Sequence, residues 1–220
     1  MTDIANPDQR LTPAQAWRAL QDGNARFYSG NVKHPSQSID RRTQVSGWQH
    51  PFAVLFGCSD SRVAAEIIFD RGLGDMFVVR TAGHVVDTTV IGSIEYGVEI
   101  LGAPLIVVLG HDSCGAVAAA RDALVTGVMP TGMIRAVVDR VIPSIVTRGP
   151  ANSHGPGYDL EVPEPTELGR EHVRGTVHML GNYSGALARA VEAGRCAIVG
   201  AEYQLRDGRI NVVETVGDIG

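Results

Sequence analysis

Residues 105–111 read Leu-Ile-Val-Val-Leu-Gly-His, a continuous apolar run that ends in a glycine and a potential metal ligand. Residues 52–58, Phe-Ala-Val-Leu-Phe-Gly-Cys, repeat this order with a cysteine in place of the histidine. Apolar runs without alternation are typical of strands buried on both faces of a parallel sheet. Each stretch therefore predicts a central strand whose end presents a metal-binding side chain.

The rest of the chain alternates between further strands and helical patterns. Two more apolar runs, Met76–Val79 and Ala197–Val199, predict strands, and Ile210–Glu214 follows an Asp-Gly turn that predicts an antiparallel edge strand. Helical patterns cover Ala64–Phe69, Thr88–Leu101, Gly115–Thr126, Met133–Thr147 and Thr166–Ala193. Strand–helix alternation favours right-handed crossovers. The predicted fold class is α/β: a mainly parallel sheet of four strands with an added antiparallel edge strand, flanked by helices.

The N-terminal segment predicts a helical arm followed by a linker. Leu11–Tyr28 has helical spacing, and Ser29–Gln49 is polar without a period, so we expect an extended linker there. Residues 1–50 are interpreted as arm and linker, and residues 51–220 as a single α/β domain. The apolar positions of the arm are expected to dock on a neighbouring subunit: Trp17, Leu20 and Phe27. The Gly/Pro-rich stretch Gly149–Pro165 predicts a loop whose path and role the sequence does not define.

The composition excludes several classes of protein. The 220 residues contain 19 Lys and Arg against 24 Asp and Glu, a net charge of −5, which argues against a nucleic-acid binder or a polybasic membrane-surface protein. Three cysteines do not make a disulfide framework. Without a signal-like or membrane-spanning segment, we expect a cytoplasmic protein that binds neither nucleic acid nor membrane.

Three potential zinc ligands converge in the predicted sheet. Cys58 and His111 end parallel strands and therefore emerge at the same edge, and Cys114 lies three residues after His111. Two thiolates and one imidazole suit Zn²⁺, and three protein ligands leave the open position of a catalytic site. Cys196 stands at the start of a strand, so we expect it at the opposite edge, away from this site.

An acidic and a basic residue follow Cys58 closely. Asp60 is interpreted either as a fourth zinc ligand in a closed state or as the acceptor of a hydrogen bond from zinc-bound hydroxide. Arg62 offers a bidentate partner for Asp60, so pairing would keep Asp60 off the metal and unpairing would close the site. The pair would then switch the site between a closed form, in which Asp60 ligates the metal at low pH, and an open form at high pH. The simpler alternative is an ordinary ion pair.

The other histidines do not form a site by their spacing. His84 follows the second strand and is a weak candidate for proton transfer, although a surface imidazole is the favoured interpretation. His172 and His178 lie six residues apart on a predicted helix, so they do not share a face. No phosphate-binding glycine motif follows a strand, so a nucleotide site is not indicated.

The chain resembles the β-class carbonic anhydrases. Residues 58–62, Cys-Ser-Asp-Ser-Arg, match the C-x-D-x-R motif of that family, and residues 110–115, Gly-His-Asp-Ser-Cys-Gly, match its H-x-x-C motif. The resemblance runs from residue 20 to the last strand. It implies one zinc ion per subunit, held by Cys58, His111 and Cys114, and a catalytic dyad of Asp60 and Arg62.

The resemblance also implies substrate-binding residues, which nothing else in the sequence identifies. These are Gln49, Phe77, Tyr96 and Gly115. In the family the cleft is often built across a dimer interface, so a homodimer or homotetramer is expected. Residues 81–86, Thr-Ala-Gly-His-Val-Val, depart from the Asn-x-Ala-Asn of many members, which leaves the pocket wall there undefined.

The sequence favours one function over three alternatives. We expect zinc-dependent reversible hydration of carbon dioxide to bicarbonate and a proton, by a zinc-hydroxide mechanism. One alternative is hydrolysis of a CO₂ analogue such as CS₂ or COS on the same scaffold. Another is a non-catalytic zinc-binding regulatory protein, which predicts a closed four-ligand site. A redox thiol protein would want a C-x-x-C spacing, which Cys58 and Cys114 do not have.

Overall fold

A five-stranded sheet forms the centre of the computed structural model, which describes residues 11–148, 160–161 and 165–220. Including a separate two-stranded pair, the strands of the described residues are β1 (Ala53–Cys58), β2 (Met76–Thr81), β3 (Leu105–His111), β4 (Thr147–Arg148), β5 (Leu160–Glu161), β6 (Ala197–Tyr203) and β7 (Ile210–Val216). Their order in the main sheet is β2-β1-β3-β6-β7, with only β7 antiparallel to its neighbour, while β4 and β5 form a separate antiparallel pair. The predicted fold class is confirmed.

The helices cover both faces of this sheet. They are α1 (Pro13–Tyr28), α2 (Ile39–Gln44), α3 (Ala65–Ile68), α4 (Thr88–Glu95), α5 (Gly115–Thr126), α6 (Ile134–Ile145), α7 (Pro165–Tyr183) and α8 (Gly185–Glu192). None of the helices in the described residues is both long and apolar enough to cross a membrane. The core clusters place α1 and α3 on one face of the sheet and α4, α7 and α8 on the other, so helices cover the sheet on both sides.

Three predicted segments differ from the structure. The predicted linker contains the short helix α2, which begins where the Ser38 hydroxyl accepts a hydrogen bond from the Arg41 N–H. The long helix predicted over Thr166–Ala193 is two helices, because the Ser184 side chain caps a new start. The helix predicted over Thr88–Leu101 ends in a π-helical turn at Tyr96–Ile100. Apolar periodicity did not reveal these local breaks.

The predicted loop Gly149–Pro165 lies mostly outside the described residues. Within it, Leu160–Glu161 pairs with Thr147–Arg148 as an antiparallel ladder.

Helix α1 packs on the sheet of its own chain. Trp17 and Leu20 are buried in one core cluster with Leu55 and Leu109 from the central strands. The Asn24 side-chain amide donates to the carbonyls of residues 68 and 208, which fixes the helix on the domain. The prediction that these apolar positions need a neighbouring subunit is therefore wrong, because periodicity shows that a face is buried and not which surface covers it.

Leu20→Ala should lower the free energy of unfolding by about 2–5 kcal/mol, since it would open a cavity under α1. Leu20 is 0% exposed, whereas Ile39 is 72% exposed and provides a matched apolar control. Chemical denaturation of both variants measures the difference, and Ile39→Ala should remain within about 0.5 kcal/mol of the parent. Equal stability of the two variants would contradict this packing.

Candidate metal centre

The register of the sheet brings the three predicted ligands together. In the ladder between β1 and β3, Gly57 pairs with Leu109, so Cys58 and His111 end neighbouring strands at the carboxyl edge. Cys114 occupies the N-cap position of α5 and makes no side-chain capping hydrogen bond there. The ligand atoms of Cys58, His111 and Cys114 all lie within 4.8 Å of one another, and all three residues are buried.

The His111 ring is oriented to offer one nitrogen to the cluster. Its Nδ1 lies 2.7 Å from the Asp112 carbonyl oxygen, and because a carbonyl only accepts, Nδ1 carries the proton. Nε2 then presents its lone pair. It is buried and has no hydrogen-bond partner among the residues that the structure describes. A buried acceptor without a partner is costly in a folded protein, and a metal ion would satisfy it.

The two thiols influence each other's pKa. The interaction with Cys114 lowers the pKa of Cys58, while the same interaction with Cys58 raises the pKa of Cys114. The Gly83 N–H, 3.3 Å from Cys58 Sγ, is a further donor to that sulfur. A divalent cation held by both sulfurs would favour the thiolate form of each cysteine. Two thiolates and one imidazole fit zinc.

Cys196 lies away from the cluster. It is buried just before β6 begins, and the only group of metal-ligating side chains found in residues 11–148, 160–161 and 165–220 does not include it. The prediction that Cys196 stays outside the site is confirmed.

Asp60 and Arg62 form the predicted bidentate pair. Arg62 Nε lies 3.0 Å from Asp60 Oδ1, and Arg62 Nη2 lies 2.7 Å from Asp60 Oδ2. The Arg62 guanidinium holds the pKa of the Asp60 carboxyl well below its usual range. The same Oδ2 lies 3.9 Å from His111 Nε2, so the carboxylate lies beside this candidate ligand atom while it faces Arg62.

Arg80 is part of the site, and the sequence analysis missed it. Its Nε donates to the Cys58 carbonyl at 2.9 Å, and its Nη2 donates to the Asp60 carbonyl at 2.7 Å. Arg80 pairs with Gly57 across the β1–β2 ladder, which places it beside the loop that it holds. The sequence shows only an arginine near the end of a predicted strand. Its partners on the loop after β1 could not be inferred, because the sequence does not show that β2 lies next to β1.

The four predicted substrate-binding residues lie on different elements of the structure. Gly115 follows Cys114 and begins α5, with open space where a Cβ would lie. Phe77 pairs with Val54, four residues before Cys58, so it lies about 13 Å along the sheet from the cluster. Tyr96 packs beside Phe77, with ring centroids 6.0 Å apart. Gln49 lies exposed before β1.

His84 and His172 are both buried, contrary to the surface position favoured for His84. Each residue is 2% exposed, and their ring centroids lie 4.1 Å apart. Burial lowers the pKa of both imidazoles, so both rings are neutral. Spacing along the chain did not reveal this contact, because it joins two segments that are distant in sequence.

The comparisons with known proteins all point to the same family. The profile of the family described as carbonic anhydrase matches residues 53–210. The carbonic anhydrase of Mycolicibacterium smegmatis is 53% identical over 94% of this chain and 97% of that protein. Carbonic anhydrase 2 of Mycobacterium tuberculosis strain H37Rv is 52% identical over 94% of this chain and 96% of that protein. Among solved structures, a tetrameric β-carbonic anhydrase from Sordaria macrospora aligns with a TM-score of 0.67 at 22% identity, covering 91% of this chain and 98% of its own.

Proposed function

Because the chain belongs to the carbonic anhydrase family and has the fold of the β-class members, we propose that it catalyses the zinc-dependent reversible hydration of carbon dioxide to bicarbonate and a proton. The observation that carries the proposal is the buried ligand cluster, in which His111 Nε2 lacks a hydrogen-bond partner within the described part of the chain. The Asp60–Arg62 pair beside that cluster supports it.

Cys58, His111 and Cys114 would hold one zinc ion per subunit. When bound, zinc supplies a Lewis acid at which water becomes acidic enough to act as a nucleophile near neutral pH. The two cysteines carry the negative charge that balances the cation, and the Asp112 carbonyl fixes the tautomer in which His111 Nε2 faces it.

Asp60 would orient the nucleophile. Its Oδ2, beside His111 Nε2, accepts a hydrogen bond from the attacking water and directs the water's lone pair toward the substrate carbon. Arg62 keeps Asp60 ionised, and therefore a pure acceptor, through the two hydrogen bonds of the bidentate pair. Arg80 holds the backbone of this loop by two carbonyls, so the carboxylate keeps its place.

The substrate would lie between residues of two chains. The Gly115 N–H at the start of α5 and the Gln49 amide would donate to substrate oxygens. Phe77 and Tyr96, which are distant from the cluster of their own chain, would line the cleft of a partner. This assignment requires a homodimer or homotetramer, and the Sordaria relative is described as tetrameric. The division into residues 1–50 and 51–220 and the cytoplasmic location stay predictions.

Stopped-flow measurement of CO₂ hydration on the zinc-loaded protein tests the proposal. We expect turnover that is lost when a chelator removes the metal and returns with zinc. CS₂ and COS hydrolysis, measured on the same preparation, should be far slower. Fast hydrolysis of either analogue with no CO₂ hydration would favour the alternative enzyme. Tight zinc binding without any turnover would favour a regulatory protein.

A further inference from the structure

A continuous set of hydrogen bonds runs from helix α6 through α7 to the sulfur of Cys58. We propose that His172 is a positioning residue of the metal centre, which holds the Gly83 turn where its N–H reaches Cys58. The proposal rests on the proposed zinc site. His172 is 61 positions beyond His111 in the chain, and nothing in its sequence context points to this role.

The Gly83 turn is tightly confined on the side of helix α5. Gly83 has φ of +64°, in the left-handed region, and a Cβ there would lie 2.5 Å from the Ala116 Cβ. Only glycine fits this place without moving α5. The turn therefore presents main-chain groups to its neighbours: the N–H of Gly83 donates to Cys58 Sγ, and the carbonyl of Gly83 faces α7.

His172 binds that carbonyl from α7. Its Nε2 lies 2.7 Å from the Gly83 oxygen, so Nε2 carries the proton of the neutral ring. Nδ1 is then an acceptor, so the single proton of the Ser144 hydroxyl from α6 is directed to it and not to the Val141 carbonyl, which lies 2.7 Å from the same hydroxyl oxygen. Gly175 lets the two helices approach closely, since a Cβ there would lie 2.7 Å from the Ser144 Cβ. The tautomer and the direction of both bonds are thus fixed by the packing of α6 on α7.

His84 prevents the His172 ring from moving sideways. The two rings pack with centroids 4.1 Å apart, and His84 itself is packed edge-on against Phe56 of β1. Both ring nitrogens of His84 lack hydrogen-bond partners among the described residues, so its contribution is packing. His172 is therefore held on one side by Ser144 and on the other by His84, and the second hydrogen bond of its ring within the described residues is the one to Gly83.

The consequence for Cys58 is electrostatic and geometric. An N–H donor to a thiolate stabilises its charge and fixes the direction of its lone pairs. Without His172 the Gly83 turn loses its outer support, and the donor to Cys58 Sγ is no longer held at 3.3 Å. Groups that orient metal ligands in this way typically change metal affinity 10–100-fold when they are removed.

Two amide variants separate positioning from simple packing. In His172→Gln the side-chain amide nitrogen takes the place of Nε2 and can still donate to Gly83. In His172→Asn the shorter side chain places its amide near Nδ1, where it reaches Ser144 and not Gly83. Leu180→Ala, a fully buried position on the same helix, is the control for loss of packing alone.

The readouts are zinc affinity, measured by chelator competition, and the thiolate-to-metal absorption band of the cobalt-substituted protein. We expect His172→Asn to bind zinc at least about tenfold more weakly, with a shifted band. His172→Gln should stay near the parent in both, and Leu180→Ala should lose thermal stability only. If His172→Asn does not fold, Ser144→Ala replaces it, with a shift of the same sign.

An unchanged band and affinity in His172→Asn, or equal changes in Leu180→Ala, would overturn the positioning role. Zinc binding by the parent protein distinguishes this failure from failure of the proposed function. A parent that binds zinc while the variants match it refutes only the role of His172. A parent that binds no zinc refutes the metal centre itself.

Discussion

Cys58→Ser, His111→Ala and Cys114→Ser should each lose nearly all bound zinc, with affinity more than about 100-fold below that of the parent. Each variant leaves two ligands of a cluster whose three ligand atoms lie within 4.8 Å of one another. His111→Ala also removes the buried Nε2 that lacks a partner in the described residues, so it should keep its fold while losing the metal.

Metal analysis of the purified variants, with circular dichroism to confirm folding, checks this expectation. Cys196→Ser is the matched control because it removes a buried thiol outside the cluster, and it should retain one zinc per chain. Near-stoichiometric zinc in all three ligand variants would refute the assignment. Loss of zinc from Cys196→Ser would mean that its thiol supports the site.

Asp60→Asn should reduce kcat/KM for CO₂ hydration by about 100-fold or more at every pH. The amide keeps the shape of the carboxylate but loses the charge that Arg62 binds at 2.7 Å, and it is a weaker acceptor for the attacking water. A stopped-flow pH–rate profile measures the effect. A variant with the parent's rate would show that Asp60 has only a structural role.

Arg62→Ala tests the same pair from the other side. Without the guanidinium, the pKa of Asp60 returns toward its ordinary value, and Oδ2, which already lies 3.9 Å from His111 Nε2, is free to ligate the metal. Because hydroxide competes better with a carboxylate ligand as pH rises, this variant should need more alkaline buffer to become active. Arg62→Lys keeps the charge but not the bidentate geometry, so its pH–rate profile should lie between those of the parent and Arg62→Ala.

The architecture could be predicted because its signals are local. Continuous apolar runs ending in Gly57 and Gly110 predicted buried parallel strands, and the Asp-Gly turn before β7 predicted the antiparallel edge. The ligands followed from the same runs, since parallel strands that lie in one sheet end at one edge. Cys58 and His111 could therefore be brought together before any coordinates.

The sequence by itself thus determined the fold class, the candidate ligand set and the ion pair of Asp60 and Arg62. Only the tertiary structure decided which surface covers Trp17 and Leu20, and which groups support the site from outside. Arg80, Gly83 and His172 act through main-chain amides and carbonyls, which carry no side-chain signature. Their partners are set by how β2, α6 and α7 pack. Contacts between segments far apart in the chain depend on that packing. The spacing of residues along one segment carries no information about it.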